Sequence, residues 1–65
     1  DDYNTFEHVI DCLISICKHE ATQAEQCAYI VHYNGKCTIK RGATSKLEPL
    51  LHALKFQNLI VELKK

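Results

Sequence analysis

The chain carries no excess charge of either sign: over 65 residues, eight Lys and Arg balance eight Asp and Glu, for a formal net charge of zero. Phosphate backbones and anionic lipid surfaces are held by a basic excess, so neither nucleic acid nor a membrane is an expected partner. Long apolar runs are missing as well. The run from Cys12 to Cys17 is broken by Ser15 and falls far short of the ~20 residues of a membrane-spanning helix. No signal peptide is visible, and a soluble chain is expected. Linkers, low-complexity segments and internal repeats are also lacking, and the length suits one domain over residues 1–65. A chain this short buries only about 60% of its unfolded surface, so every apolar face has to be used. There is no Gly-rich phosphate loop, no helical His-Glu-x-x-His pattern and no nucleophile beside an evident base. Nothing in the sequence motivates a reaction, and an enzyme is not expected.

Four cysteines are present, but no Cys-x-x-Cys pair. Cys12, Cys17 and Cys27 fall within helical patterns and read as buried, reduced thiols. That reading implies a reducing, cytoplasmic compartment. His8 with Cys12, and Cys17 with His19, are spaced to share a metal, yet neither pair resembles a closed zinc pattern. No metal or cofactor is expected; the alternative kept open is a small structural or metal-stabilised interaction domain.

Phe6, Val9, Ile10, Leu13, Ile16 and Cys17 recur in steps of three and four and predict a helix from about Thr5 to Lys18, capped by Asn4 or Thr5. Asp1, Asp2 and Glu7 place negative charge at its positive end. After His19 and Glu20, a second stripe of Ala21, Ala24, Cys27, Ala28, Ile30 and Val31 predicts a helix over 21–33, ended by Asn34-Gly35. Cys37 to Lys40 alternates and predicts a short strand. Ser45 with Glu48 three residues later has the form of a capping box opening a third helix, and Pro49 in an opening turn forfeits little. Leu47, Leu50, Leu51, Leu54 and Phe56 are expected to supply its buried face. Gln57 and Asn58 turn the chain, and Leu59, Val61 and Leu63 then alternate with Ile60, Glu62 and Lys64 as a second strand. The expected fold class is α+β: a small sandwich of three helices on a short antiparallel sheet. Two strands make a poor sheet, so its first strand is expected to be missing from this chain.

Two helices of similar length joined by two residues favour an antiparallel hairpin. The start of the first, with Asp1, Asp2, Phe6 and Val9, then lies beside the end of the second, where Ala28, Val31 and His32 share a face. The expected result is an apolar depression rimmed by carboxylates and an imidazole. Singly, each member has a plainer role. Asp1 and Asp2 serve as dipole partners, Phe6, Val9 and Val31 as core, and His32 as a cation near a helix C-terminus. His8 and His52 read as solvated, and Tyr29 and Tyr33 as rim packing.

Together these residues resemble a family. Asp-Asp-Tyr-Asn-Thr-Phe-Glu-His-Val at 1–9, followed by Ala24-x-x-Cys27-x-x-Ile30-Val31-His32-Tyr33-x-Gly35-Lys36, is similar to the ClpS adaptor of bacterial Clp proteases, and the likeness covers essentially the whole chain. The resemblance implies a non-catalytic adaptor of the N-end rule. Such an adaptor binds proteins with a destabilising N-terminal Leu, Phe, Tyr or Trp, the N-degron, and passes them to a ClpA-like or ClpC-like AAA+ unfoldase. Carried over by position, Asp1 and Asp2 would hold the α-amino and first peptide groups. Asn4, a threonine in the family, would lie beside the ligand backbone, and His32 would complete the polar shell. Phe6 takes the gating position, Val9, Ala28 and Val31 line the pocket, and Leu59 is the inward leucine of the closing strand. The family's Asn ahead of the Asp pair precedes the first residue here, as does the extension used for delivery. Ala28 is smaller and Phe6 larger than usual, which implies a deeper pocket with a narrower mouth.

Overall fold

The computed structural model describes residues 5–64. Thr5 holds extended backbone, φ −70° and ψ 156°, and its hydroxyl accepts the His8 amide at 3.1 Å, which starts helix α1, Phe6–Ser15. The helix stops short of the expected Lys18. Lys18 adopts a left-handed φ of 61°, and the Leu13 carbonyl accepts the amides of both Cys17 and His19 at 3.1 Å. Cys17 stays buried although it has left the helix. Helix α2, Ala21–Asn34, opens on a capping box in which Glu20 and Gln23 each bind the other's amide. It ends as expected at Gly35, whose φ of 85° suits a residue without Cβ and whose amide reaches the Val31 carbonyl at 2.8 Å.

Helix α3, Thr44–Phe56, starts two residues earlier than the sequence suggests, and Phe56, expected on its buried face, is 84% exposed at its last position. Its N-cap is Ala43, with no side-chain cap, so the Ser45–Glu48 pair lies inside the helix and does not open it. Pro49 is therefore the sixth helical residue rather than one of the first turn. The far end is a Schellman turn: Asn58 is left-handed at φ 69°, its amide reaches the Lys55 carbonyl at 2.9 Å, and the Leu59 amide reaches the Leu54 carbonyl at 3.2 Å. The hydrophobic contact that accompanies this turn is present, since Leu54 and Leu59 share the core.

α1 and α2 form the antiparallel hairpin: five residues join them at one end, and the Phe6 and Tyr29 rings meet toward the other with centroids 4.8 Å apart. Cys12, Leu13, Cys17, Ala24, Cys27, Leu54 and Leu59 make one core, in which Leu13 is the largest fully buried side chain. Val9, Ile10, Ile16, Cys37, Ile39 and Val61 pack around them. α3 is tied to α1 by His8, whose Nε2 donates to the Gln57 carbonyl at 3.0 Å.

The expected α+β fold is overturned, because the described residues form three helices and no strand. Both predicted strands do alternate in burial. Cys37 and Ile39 face inward between exposed Thr38 and Lys40, and Leu59, Val61 and Leu63 face inward while Ile60 is 81% exposed. What is missing is a ladder. The Ile39 carbonyl accepts His19 Nε2 at 2.7 Å and the Leu59 amide closes the turn of α3, so a side chain and a helix end use groups that pairing would need. An isolated pair of strands is in any case marginal. Alternation here records one-sided packing on helices rather than sheet pairing.

Candidate functional site

The hairpin brings Phe6, the first residue of α1, to the C-terminal half of α2. Phe6 is half-buried and meets Tyr29 edge-on, with the ring planes 62° apart. Tyr29 stacks on Tyr33 one turn later at 6.3 Å, and Tyr33 meets the His32 ring at 5.1 Å. A row of rings therefore runs along the outer side of α2 to its last turn. Ala28 is buried at 4% exposure yet stands outside the continuous core, and Val31 beyond it is half-buried. Val9 is half-buried against the core, and His32 is exposed.

Of the expected site residues, Phe6 opens α1 and reaches Tyr29, while Ala28, Val31 and His32 lie in that same second half of α2, with Val9 one turn along α1. Leu59 belongs to the core beside Leu54 and is 8% exposed. Asp1, Asp2 and Asn4 lie outside the described residues. Two features were under-read in the sequence. Tyr29 and Tyr33 form a continuous aromatic surface with Phe6 instead of isolated rim packing. His8 is half-buried and bonds to α3, its position one turn before Cys12 on the edge of the apolar stripe being the available sign.

The buried thiols are held neutral. Burial, helped by Asp11, pushes the Cys12 thiol up; burial and Cys12 push Cys17 up against the opposing charge of Lys40. Burial and a hydrogen bond to Cys37 push Cys27 up to about 12. Neutral thiols are poor metal ligands and poor nucleophiles. Among the described residues no three His, Cys, Asp or Glu are grouped to hold a metal ion, so the metal-stabilised alternative finds no ligand cluster there. An open hollow of about 420 Å³ lies at the opposite end of the hairpin, lined by Lys18, His19, Gln23, Thr38, Lys40 and Arg41 among others. It is distinct from the expected site. His19 is 7% exposed there, and its Nδ1 has no partner among the described residues.

Residues 1–58 match the family model described as ATP-dependent Clp protease adaptor protein ClpS. The chain belongs to the ClpS family. The match runs through all three helices and stops at the Schellman turn, before the segment that follows Asn58. ClpS membership makes the chain a Clp protease adaptor, distinct from the protease it serves. No helix among the described residues is long and apolar enough to cross a membrane. No curated protein and no solved structure was found to match the chain.

Proposed function

We propose that this ClpS-family chain binds the free N-terminus of polypeptides that begin with Leu, Phe, Tyr or Trp and hands them to a Clp AAA+ unfoldase of the ClpA or ClpC kind in the cytoplasm. The observation that carries the reading is the edge-on contact of Phe6, the first residue of α1, with Tyr29 in the half of α2 that also holds Ala28, Val31 and His32. In this reading Val9, Ala28, Val31 and Leu59 receive the first side chain, Phe6 guards the entrance, and Asp1, Asp2, Asn4 and His32 accept from the ammonium and first peptide groups. An ammonium offers three donors and no acceptor, so carboxylates and a neutral imidazole nitrogen suit it. A small Ala28 leaves room for an aromatic ring.

Magnitudes say that both halves are needed. Burying a Leu or Phe side chain contributes roughly 1.5–3 kcal/mol, which alone leaves binding weaker than millimolar. Hydrogen bonds to a charged group contribute about 1.5–3 kcal/mol each. Acetylating the peptide's amine is therefore expected to weaken binding by at least tenfold. Fluorescence anisotropy with a labelled peptide, Phe-first against N-acetylated and against Ser-first, is the test. Equal affinity for the free and acetylated peptides would refute the reading.

A further inference from the structure

Cys27 and Cys37 stand apart from the other thiols. Their sulfurs are 2.8 Å apart, with the Cys27 thiol donating to Cys37 and the Cys37 thiol donating to the Thr38 carbonyl at 3.4 Å. Cys27 lies on α2 at 5% exposure, whereas Cys37 follows the Gly35 stop and is half-buried, open to solvent on one side. Cys12 and Cys17 are both buried, and no sulfur–sulfur hydrogen bond involves them among the described residues. A disulfide bond is about 2.05 Å long, so a further approach of less than about 1 Å joins the first pair.

We propose that Cys27 and Cys37 are a reversible disulfide site, closed by hydrogen peroxide and reopened by a small thiol. The accessible Cys37 thiolate attacks one peroxide oxygen; the O–O bond breaks, the departing hydroxide takes a proton to become water, and Cys37 becomes a sulfenic acid. The Cys27 sulfur then attacks that sulfur. The S–S bond forms, the S–O bond breaks, and the Cys27 proton leaves with the hydroxide as a second water. Two thiols lose two electrons in total, and one peroxide is reduced to two waters. Burial and the hydrogen bond to Cys37 hold Cys27 protonated, so the second step is the slower one and quickens as pH rises. The bond clips the segment after Gly35 onto α2, enclosing Ala28, Val31 and His32 in a short covalent loop. It restrains the unfolded chain and raises the melting temperature by roughly 10–20 °C.

The test treats the full chain with one equivalent of hydrogen peroxide and follows intact mass, free thiols and tryptic peptides. The expected result is a loss of about 2 Da, the mass of two hydrogens lost as one bond forms. Titratable thiols fall from four to two. Trypsin cuts after Lys18, Lys36 and Lys40, so peptide 19–36 is found joined to peptide 37–40 until dithiothreitol separates them. The Cys37→Ala variant, altered at a half-buried position, keeps its remaining three thiols unlinked. A link to Cys12 or Cys17, oxygen added at Cys37 without a link, or survival of all four thiols at a dose that oxidises glutathione would each overturn the proposal.

Discussion

Replacing Pro49 with Ala is expected to stabilise the protein. Proline as sixth residue of α3 has no amide to offer the Ser45 carbonyl, and its ring crowds that carbonyl. Proline in a helix interior costs about 3 kcal/mol relative to alanine. Removing it frees the unfolded chain and returns about 0.4–1 kcal/mol. Pro49 is exposed, so no core packing is lost. Its place near the start of the helix, where one hydrogen bond is restored, reduces the gain to about 1–2 kcal/mol. A domain of this size melts about 4–8 °C higher per kcal/mol, so a rise on the order of 5–15 °C is expected by circular dichroism at 222 nm. Two companion variants fix the helix start. With Ala43 as the uncapped N-cap, Ala43→Asp should add about 1 kcal/mol, while Ser45→Ala should stay within about 0.5 kcal/mol of wild type. If Ser45 were the true cap, Ser45→Ala would cost about 1 kcal/mol and Ala43→Asp would change little. That pair of results would refute the reasoning.

Two further expectations follow from side chains between the elements. His8→Ala removes the bond to the Gln57 carbonyl that ties α1 to α3, and should cost about 1 kcal/mol in urea unfolding, whereas exposed His52→Ala should be neutral; equal effects would count against the tie. The Cys27 thiol is pushed up to about 12 when folded, against 9.0 for an unperturbed thiol. A raised acid favours folding in full below pH 9 and loses that contribution as pH climbs toward 12. The loss is at most about 4 kcal/mol, from 1.36 kcal/mol per unit, and Cys17 adds in the same direction. Urea midpoints from pH 8 to 11 should therefore fall less steeply for Cys27→Ala than for wild type, and parallel slopes would contradict the burial argument.

The helices were legible in the sequence because each apolar stripe has one physical solution. Phe6, Val9 and Leu13 reach a single face only at the helical period, and Gly35 ends α2 because a left-handed residue without Cβ meets no steric penalty there. Helix starts were harder to read. Ser45 and Glu48 have the spacing of a capping box, while the working box is Glu20 and Gln23, whose N-cap is a glutamate rather than the usual serine or threonine. That the start of α1 meets the second half of α2 was legible for the same reason as the hairpin: a short connection between similar helices dictates which ends meet. The roles of Tyr29 and His8 were not, because a ring row and a bond from α1 to a carbonyl of α3 exist only once the helices have docked.

The segment after Asn58 shows why alternation alone does not decide between a strand and an extended packing segment. Leu59 begins the alternating run, but it is also the residue that completes the Schellman turn: its amide closes onto the Leu54 carbonyl and its side chain packs with Leu54 in the core. From that anchor any extended chain places Val61 and Leu63 on the inner side and Ile60 on the outer, with or without a neighbouring strand. The burial pattern is thus fixed by the turn, and the ladder would need a partner that the pattern cannot report. The same anchor bears on binding. In the proposed reading Leu59 is a pocket wall, and the turn that ends α3 would hold that wall in place, so substitutions at Asn58 that loosen the turn should weaken peptide binding together with stability.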